Sequence, residues 1–483
     1  MDLNLYFTSN DLIGIIPEII LTMTALFVLS LDFIGVKRPG VNVMSANIGL
    51  LLSGFFVNQG GHEGILFGGM LHLSSFSVLF DFIYIGIGIA TLLISNKYLV
   101  ENLGKIRGEF PALVLFSVIG MMLMTRANDL VVLFLGLELL SLSLYVLVGF
   151  DRHNLLSNES GLKYLFLGAF STGFFLFGVA MIYGATGTTN YNELATAVSG
   201  DNLLSELYLT IGIGLLLVSF GFKVALVPFH MWSPDVYQGA PTSITAFLCT
   251  APKAAGFGAL LKLFLISFSD IQGDWKILFW LIAVLTMTIG NISALVQNNV
   301  KRMLAFSSVS HAGVLLIGLL VFEQVGFSAV IFYLIVYSVM NFGAFTIILM
   351  VEKDERGLHF EDYRGFASKH PAYALAMVLF MISLAGIPPT GGFIAKFGIL
   401  SSAVSEGYIW LVVIAVLNTL ISAFYYVRLI VNMYMEQEEN VLDIHGGGFV
   451  FGLVGTLGLF ILFIGIAPGF LLEFTKKTIT GLF

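Results

Sequence analysis

Five ionisable residues lie inside apolar stretches of this 483-residue chain, where a charged side chain is costly. They are Glu138, Lys223, Lys253, His311 and Lys396. A carboxyl group, an amine and an imidazole each bind and release a proton without a cofactor. Residues of these types, distributed over several apolar segments, are typical of a proton path through a membrane.

Two of these lysines lie within five to eight residues of a proline break. Lys223 precedes Pro228 in SFGFKVALVPFH, and Lys396 follows Pro388 and Pro389 in SLAGIPPTGGFIAKF. Proline removes a backbone donor and leaves carbonyls unpaired, and hydrocarbon cannot satisfy such groups. A break of this kind is tolerated where protein or water surrounds it, and a buried ammonium needs the same environment. We therefore interpret both segments as broken helices that line a wet path.

The five residues suggest an order of proton transfer. Glu138 and Lys223 are predicted to pair, because a lone carboxylate in mid-span needs a cation or hydrogen bonds. A static ion pair that fixes helix packing is the alternative. Lys253 is expected to be a central relay and Lys396 the carrier at the outlet. His311 would bridge a water chain between these two lysines, and a packing role is the alternative for this histidine.

Other charged residues near apolar stretches are given smaller roles. Asp81 lies within a span and is interpreted as a capped or interface residue. Glu18 and Asp32 lie near the ends of the first predicted helix. His230 and Asp235 follow the first proline break and are expected to line the cytoplasmic mouth of the proton path.

The composition predicts an all-α, polytopic membrane protein. Hydrophobic residues make up 58% of the chain and charged residues 11%, whereas a soluble domain carries about 25% charge. About fourteen stretches are long enough to cross roughly 30 Å of hydrocarbon. They lie near residues 12–33, 42–59, 74–95, 110–125, 129–150, 161–185, 206–229, 242–268, 277–297, 303–322, 327–351, 372–404, 408–434 and 448–472.

The distribution of basic residues predicts the orientation. With the N-terminus outside, fourteen of the 22 basic residues lie on the cytoplasmic side and five on the outer side. The even number of spans then places both termini on the outer, periplasmic side. The cytoplasmic set is Lys37, Arg38, Lys97, Lys105, Arg107, Arg152, Lys163, Lys301, Arg302, Lys353, Arg356, Arg364, Lys369 and Arg428, and the outer set is Arg126, Lys262, Lys276, Lys476 and Lys477.

An internal repeat organises the chain. Residues 161–178 resemble 329–345. The first proline-broken segment resembles the second, and the two copies lie at a similar offset along the chain. We expect two five-helix repeats, 110–268 with a break near Pro228 and 269–435 with a break near Pro388. Because five is odd, the second copy enters the membrane inverted, as in many ion-coupled transporters. Three helices in 1–109 precede the repeats, and one in 436–483 follows them.

Redox chemistry within the chain is disfavoured by its residues. The single cysteine, Cys249, cannot hold an iron–sulfur cluster, and no two histidines occupy facing mid-span positions for haem. Gly212 and Gly214 lie inside an apolar span instead of a strand-to-helix turn, so they form no nucleotide fingerprint. We expect no cofactor and no metal in this chain.

The motifs LELLSLSLYVLVGF, FKVALVPFHMWSPDVYQGAP, KRMLAFSSVSHAG and SLAGIPPTGGFIAKF resemble those of the antiporter-like subunits of bacterial respiratory complex I. The resemblance covers essentially the whole chain. Its length, and a lysine at Lys396 where M-type subunits have Glu, resemble the N-type branch. The resemblance implies two inverted five-helix repeats and identifies Glu138 and Lys223 as the paired first-half residues. It also implies that Lys253 is the central relay and Lys396 the second-half lysine.

The resemblance implies a proton-translocating membrane-arm subunit in the bacterial inner membrane, driven by quinone reduction in partner subunits. Protons would enter through the first half, pass Lys253 and His311, and leave by Lys396. NADH, FMN, iron–sulfur clusters and quinone would belong to the partners, which include an M-type neighbour and small membrane subunits; no nucleic acid is expected. A subunit of a multi-subunit Na⁺/H⁺ antiporter shares these motifs and is the alternative. A purely structural spacer is a third reading, under which the intramembrane lysines tolerate removal.

Overall fold

The computed structural model describes residues 8–34, 39–59, 64–103, 107–198, 203–353, 356–438, 441–445 and 448–480. Within these ranges, thirteen helices are long and apolar enough to cross a membrane, and two shorter apolar helices accompany them. The prediction of an all-α polytopic membrane protein is therefore confirmed. A small antiparallel hairpin of two three-residue strands, β1 (Gly64–Leu66) and β2 (Leu71–Leu73), is a local exception that the sequence analysis did not predict.

The described ranges contain 21 α-helices. In chain order they are α1 (Ser9–Gly14), α2 (Ile16–Phe33), α3 (Pro39–Gln59), α4 (Ser75–Leu103), α5 (Glu109–Arg126), α6 (Leu130–Val148), α7 (Leu155–Thr186), α8 (Tyr191–Ala197), α9 (Leu203–Val224), α10 (Trp232–Gly239), α11 (Thr242–Leu248), α12 (Ala251–Ser267), α13 (Gln272–Leu295), α14 (Val300–Leu320), α15 (Gln324–Val351), α16 (Phe366–Lys369), α17 (Pro371–Ala385), α18 (Gly391–Ser405), α19 (Ile409–Tyr434), α20 (Gly448–Ile466) and α21 (Gly469–Thr480).

The predicted spans agree with these helices except at five places. The stretch 12–33 divides between α1 and α2, and 242–268 divides between α11 and α12. The stretch 372–404 is two 15-residue helices, α17 and α18, because the chain leaves the helical conformation at 386–390. The stretch 206–229 ends earlier, at Val224, where α9 stops. The last predicted stretch, 448–472, divides into α20 and a separate terminal helix, α21. The two breaks near the prolines are thus confirmed as interruptions of helical backbone.

The chain divides into two compact units. The first comprises the described residues of 1–223, 251–273 and 478–483, and the second those of 224–250 and 274–477. This division differs from the predicted segments, because 224–250 groups with the second unit.

In the first unit, α5 is the central helix, packed against α2, α4, α6 and α12. Its contact with α6 is close because glycines lie on both sides. A Cβ added at Gly120 would lie 2.6 Å from the backbone nitrogen of Leu140, and one at Gly136 would lie 2.9 Å from the carbonyl oxygen of Gly120. The N-terminus of α6 is fixed by Asp129, whose carboxylate accepts hydrogen bonds from the Val131 amide and the Thr189 hydroxyl.

In the second unit, α15 is buried on almost every side by α11, α14, α17, α18 and α20. Asn299 caps the start of α14 by accepting a hydrogen bond from the amide of Arg302. Glycines again allow a close approach, here between α13 and α14. A Cβ added at Gly290 would lie 2.7 Å from the backbone nitrogen of Ser310, and one at Gly313 would lie 2.8 Å from that of Met287.

Two of the basic residues counted on the outer side are buried within the protein. Arg126 and Lys262 are 2% and 0% exposed, respectively. Arg126 forms ion pairs with Glu18 and Asp81, both of which come from earlier helices. Neither acid is close to Arg126 in the sequence. From the sequence alone, this buried arginine therefore looks like a charged residue at an exposed helix end. Lys37, Arg38 and Lys105 lie outside the described residues.

Candidate functional site

Glu138 and Lys223 lie in the first unit, on α6 and α9, and two hydroxyl side chains contact them. Lys223 Nζ donates to Ser141 Oγ at 2.9 Å, and the Thr172 hydroxyl donates to Glu138 Oε1. Ser141 is one helical turn after Glu138, so the two side chains lie on the same face of α6. Among the described residues no direct ion pair joins Glu138 and Lys223, and Ser141 contacts the amine from the face of α6 that also carries Glu138.

Ser141 can only accept a hydrogen bond from Lys223, because its hydroxyl proton is already donated to another group. Its Oγ donates to the carbonyl oxygen of Leu137 at 2.6 Å, which leaves its lone pairs for the Lys223 ammonium. Lys223 also lies in the last turn of α9, where the carbonyl end of the helix favours a positive charge. Both side chains are buried. These contacts favour a charged lysine while burial disfavours it.

The first break follows Lys223 directly. Ala225 adopts φ +60°, a left-handed conformation that costs an L-residue about 1 kcal/mol. The freed backbone amide of Val227 donates to Thr286 Oγ1 at 3.1 Å, within the second unit. Protein groups therefore satisfy part of the interrupted backbone, as the sequence argument required.

Lys253 occupies the first turn of α12 and is 3% exposed. The helix around it is lined by small residues, including Ala254, Ala255 and Gly256, which leave room for close packing. Lys253 belongs to the same unit as Glu138 and Lys223.

Lys396 lies on α18 in the second unit and contacts the carbonyl end of α17. Its Nζ donates to the backbone oxygens of Leu384 at 2.9 Å and Ala385 at 3.1 Å. These carbonyls belong to the last turn of a helix that ends at the Pro-Pro break, so they have no continuing helical amide to accept from. The break thus provides neutral oxygen ligands for a buried ammonium without a paired carboxylate.

Two glycines of SLAGIPPTGGFIAKF are required for steric reasons. Gly386 has φ +81°, and a Cβ there would lie 2.8 Å from Lys396 Cδ. A Cβ on Gly392 would lie 1.9 Å from the carbonyl oxygen of Ser383, and the Gly392 amide donates to Ser383 Oγ at 3.0 Å. Both positions require glycine so that α18 can approach the end of α17.

His311 lies on α14 between two phenols. Its Nδ1 is 2.5 Å from the Tyr333 hydroxyl, and its Nε2 is 3.0 Å from the Tyr426 hydroxyl. Tyr426 also shares a hydrogen bond with the Ser307 hydroxyl. A neutral imidazole has one donor and one acceptor nitrogen, and two hydroxyls satisfy either tautomer. The arrangement therefore allows a proton to arrive at one nitrogen and leave from the other.

One cavity brings His311 and Lys396 together. Most of the residues that line it have polar side chains, including Asn291, Asn418 and Tyr425. Its volume is about 10 Å³. That is close to the space needed for one water molecule. His311 and Lys396 thus face a common space.

Asn291 and Asn418 hold the wall of this cavity in place. Asn291 Nδ2 donates to Asn418 Oδ1 at 3.0 Å, and the Tyr425 hydroxyl donates to Asn291 Oδ1 at 2.9 Å. Neither these residues nor Tyr333, Tyr426 and Ser141 were predicted from the sequence as part of the site. A polar residue at helical spacing inside an apolar span was the available signal, but hydroxyl and amide side chains are common in such helices.

His230 and Asp235 lie after the first break. His230 is buried, and its Nδ1 has no hydrogen-bond partner among the described residues. Burial lowers the pKa of this imidazole, and a hydrogen bond to the Pro228 backbone partly opposes that effect. Asp235 is half-buried and forms an ion pair of 2.6 Å with Arg302. In the described part of the chain, no group of three or more His, Cys, Asp or Glu side chains is arranged to hold a metal ion.

Comparisons with known proteins agree with this architecture. Residues 127–422 match the family described as NADH:quinone oxidoreductase/Mrp antiporter, TM. The NADH-quinone oxidoreductase subunit N of Trichlorobacter lovleyi is 44% identical over 491 residues, covering 99% of both chains. A chain of respiratory complex I from Thermus thermophilus with bound aureothin has a TM-score of 0.81 and 31% identity, covering 95% of this chain and 99% of that one.

A chain of the Mrp complex from Dietzia sp. DQ12-45-1b also has this fold, with a TM-score of 0.82 and coverage of 98% and 97%. Its identity of 20% shows likeness of fold alone. The identity to subunit N is higher and extends over nearly the full length of both chains. The chain therefore belongs to the NADH:quinone oxidoreductase/Mrp antiporter membrane family, within its group of NADH-quinone oxidoreductase N subunits.

Proposed function

We propose that this chain is a proton-translocating membrane-arm subunit of NADH–quinone oxidoreductase, which moves H⁺ through buried side chains while partner subunits reduce quinone. The observation that carries the proposal is the cavity shared by His311 and Lys396, because it joins two proton-exchanging groups in an apolar helix bundle. The relatives of this chain are named as N subunits of NADH-quinone oxidoreductase, which supports quinone reduction in partner subunits as the driving reaction.

In the first half, Lys223 is the group that takes up and releases the proton, and Glu138 controls it. A negative Glu138 favours the ammonium form, whereas a neutral Glu138 leaves the amine to burial, which favours release. The hydrogen bonds from Thr172 and to Ser141 keep the two groups near each other without neutralising them in a direct ion pair. A change in the charge of Glu138 then changes whether Lys223 holds or releases its proton.

In the second half, His311 passes a proton toward Lys396, the outlet carrier. The Tyr333 and Tyr426 hydroxyls support both tautomers of the imidazole, and water in the shared cavity would complete the connection. The carbonyls of Leu384 and Ala385 stabilise a protonated Lys396 without fixing its charge as a carboxylate would. Lys253 is the central relay, supported by its burial in α12.

We also propose that residues 110–268 and 269–435 are two inverted repeats. Three features support this proposal: a polar N-cap at Asp129 and Asn299, a long following helix, and a helix broken at proline. The close glycine contacts of α5 with α6 and of α13 with α14 are a further similarity. Residues 1–109 and 436–483 would flank the repeats.

The proposal assigns the electron-transfer chemistry to partner subunits. NADH, FMN, iron–sulfur clusters and quinone would bind there, and this chain would contact an M-type neighbour and small membrane subunits. The complex would lie in the bacterial inner membrane, with both termini of this chain on the periplasmic side. The second candidate, a Na⁺/H⁺ antiporter subunit, is supported by the family description, which names both kinds of protein, and by the fold likeness to the Mrp chain.

The test is NADH-driven proton uptake by membrane vesicles that carry Lys223→Ala, with assembly followed on native gels. Lys223→Met provides a second variant that removes the charge and fills more of the space left by the side chain. The matched control is Lys477→Ala, since Lys477 is an exposed lysine on α21. We expect assembled complex with strongly reduced proton uptake for both Lys223 variants and normal uptake for the control.

Normal uptake in both Lys223 variants would refute the proton path and favour the spacer. If the chain is absent from every NADH-oxidising assembly, the antiporter is supported instead, and Na⁺-dependent proton movement without NADH would confirm it.

A further inference from the structure

A second group of buried ionisable side chains lies in the first unit, outside the proton path proposed above. Arg126 is its centre: Nη1 is 2.6 Å from Glu18 Oε1, and Nη2 is 2.6 Å from Asp81 Oδ2. Nε also donates to Asp81 Oδ2, at 3.0 Å. Lys262 lies beside the group and donates to the backbone oxygens of Thr125 at 3.1 Å and Arg126 at 3.2 Å. These side chains come from α2, α4, α5 and α12.

The charges of this group are balanced in number but unevenly paired. Two carboxylates share one guanidinium, which also donates to the carbonyl oxygen of Gly14 at 3.0 Å. The second cation, Lys262, donates to neutral carbonyls instead of to a carboxylate. In apolar surroundings, a buried carboxylate is stabilised chiefly by direct hydrogen bonds and ion pairs. The Arg126 guanidinium is therefore the cation that pairs directly with both carboxylates.

Unused hydrogen-bonding capacity lies at the same place. Glu18 Oε2 and Asp81 Oδ1 are buried and accept no hydrogen bond within the described part of the chain. Glu18 and Asp81 are 6% and 0% exposed, respectively. A buried oxygen without a partner is costly as an anion and much less so as a neutral O–H group. The geometry thus favours a proton on one of the two acids.

We propose that Glu18 and Asp81, held by Arg126, form a second proton-exchange site in which the two acids share one exchangeable proton. Uptake from water forms an O–H bond at Asp81 Oδ1 or Glu18 Oε2 and removes one negative charge, which leaves Arg126 paired with a single carboxylate. Release returns the proton to water and restores two carboxylates, now balanced by Arg126 and Lys262. No electron is transferred in either direction.

The competing arrangement is a static ion network that only fastens α2, α4 and α5 together. It keeps both acids ionised at every pH at which the complex is assembled. Buried networks of that kind are common, and removal of one partner is strongly destabilising in them. The two arrangements differ in one observable property, which is whether a protonated carboxyl group exists at Glu18 or Asp81.

A hydrophobic carbodiimide tests this property in the wild-type assembled complex, because it modifies protonated carboxyl groups in apolar surroundings. The complex is labelled across a pH series, and mass spectrometry of the peptides quantifies modification at Glu18 and Asp81. We expect modification at one or both, falling about tenfold per pH unit on the alkaline side of the titration. Absence of modification at both acids over the whole series would overturn the proposal.

A variant measurement separates this site from the main proton path. Lys262→Met keeps most of the side-chain volume and removes the cation that balances the doubly ionised form, so labelling should increase and extend to higher pH. Lys223→Ala, which acts on the main path, should leave labelling at Glu18 and Asp81 unchanged. Unchanged labelling in Lys262→Met would contradict the proposed balance. Because labelling is read without proton pumping, failure of the main path would not affect this result.

Discussion

Gly120→Ala should disturb the first-half proton site through the backbone alone. The three atoms nearest to an added Cβ all belong to the backbone of α6: Leu140 N at 2.6 Å, the Gly136 carbonyl oxygen at 2.7 Å and Leu140 Cα at 3.0 Å. Ordinary contact begins at 3.4 Å, so α5 and α6 must separate by about 0.8 Å. No side-chain rotation can relieve the clash. Glu138 lies on the displaced segment of α6.

The energetic cost follows from two opposing effects. Overpacking of a dense core costs about 1–3 kcal/mol, and replacing Gly by Ala inside a helix returns up to about 1 kcal/mol. We therefore expect a net loss of about 1–2 kcal/mol, seen as faster thermal inactivation of the assembled complex. Proton uptake per assembled complex should also fall, because a shift of this size misplaces the groups that exchange protons.

Gly184→Ala is the matched control, since an added Cβ at this position of α7 meets nothing within 4 Å. It should keep or slightly increase stability and leave proton uptake unchanged. The comparison is made by native gel, by inactivation half-life at a fixed temperature and by NADH-driven uptake in vesicles. If Gly120→Ala matches Gly184→Ala in all three assays, the close contact of α5 with α6 is not a constraint on the site.

Three further predictions concern single side chains, each measured as NADH-driven proton uptake per assembled complex. Ser141→Ala removes a charge-assisted hydrogen bond to Lys223 worth about 1.5 kcal/mol, so uptake should fall about tenfold; an unchanged rate would exclude a positioning role. Tyr333→Phe removes the hydroxyl that contacts His311 Nδ1 and should reduce uptake several-fold, whereas wild-type uptake would show that this contact is not needed for proton transfer. Lys396→Arg should assemble normally but lose uptake, because arginine does not release its proton; wild-type pumping would show that deprotonation there is unnecessary.

Much of the architecture was predictable because single segments carry the signal. An apolar run of membrane length forms a helix in lipid whatever its neighbours are, since the backbone must satisfy itself. The interruptions near Pro228 and Pro388 were predictable for the same local reason, as proline cannot continue the backbone hydrogen bonds. Chemistry that depends on residue type, such as the proton exchange expected of Lys396 and His311, was likewise accessible from the sequence.

Pairing was decided only by the tertiary structure. The sequence suggested that Glu138 is the partner of Lys223, whereas the fold places the Ser141 hydroxyl at the amine. The same limit applies to Arg126, which resembles a helix-end charge until α2 and α4 bring Glu18 and Asp81 to it. Hydropathy reports where a residue lies along its own helix, but the neighbours of a side chain depend on how helices distant in sequence pack. The sequence therefore determined the spans, the breaks and the candidate groups, and the packing of the helices determined which of those groups meet.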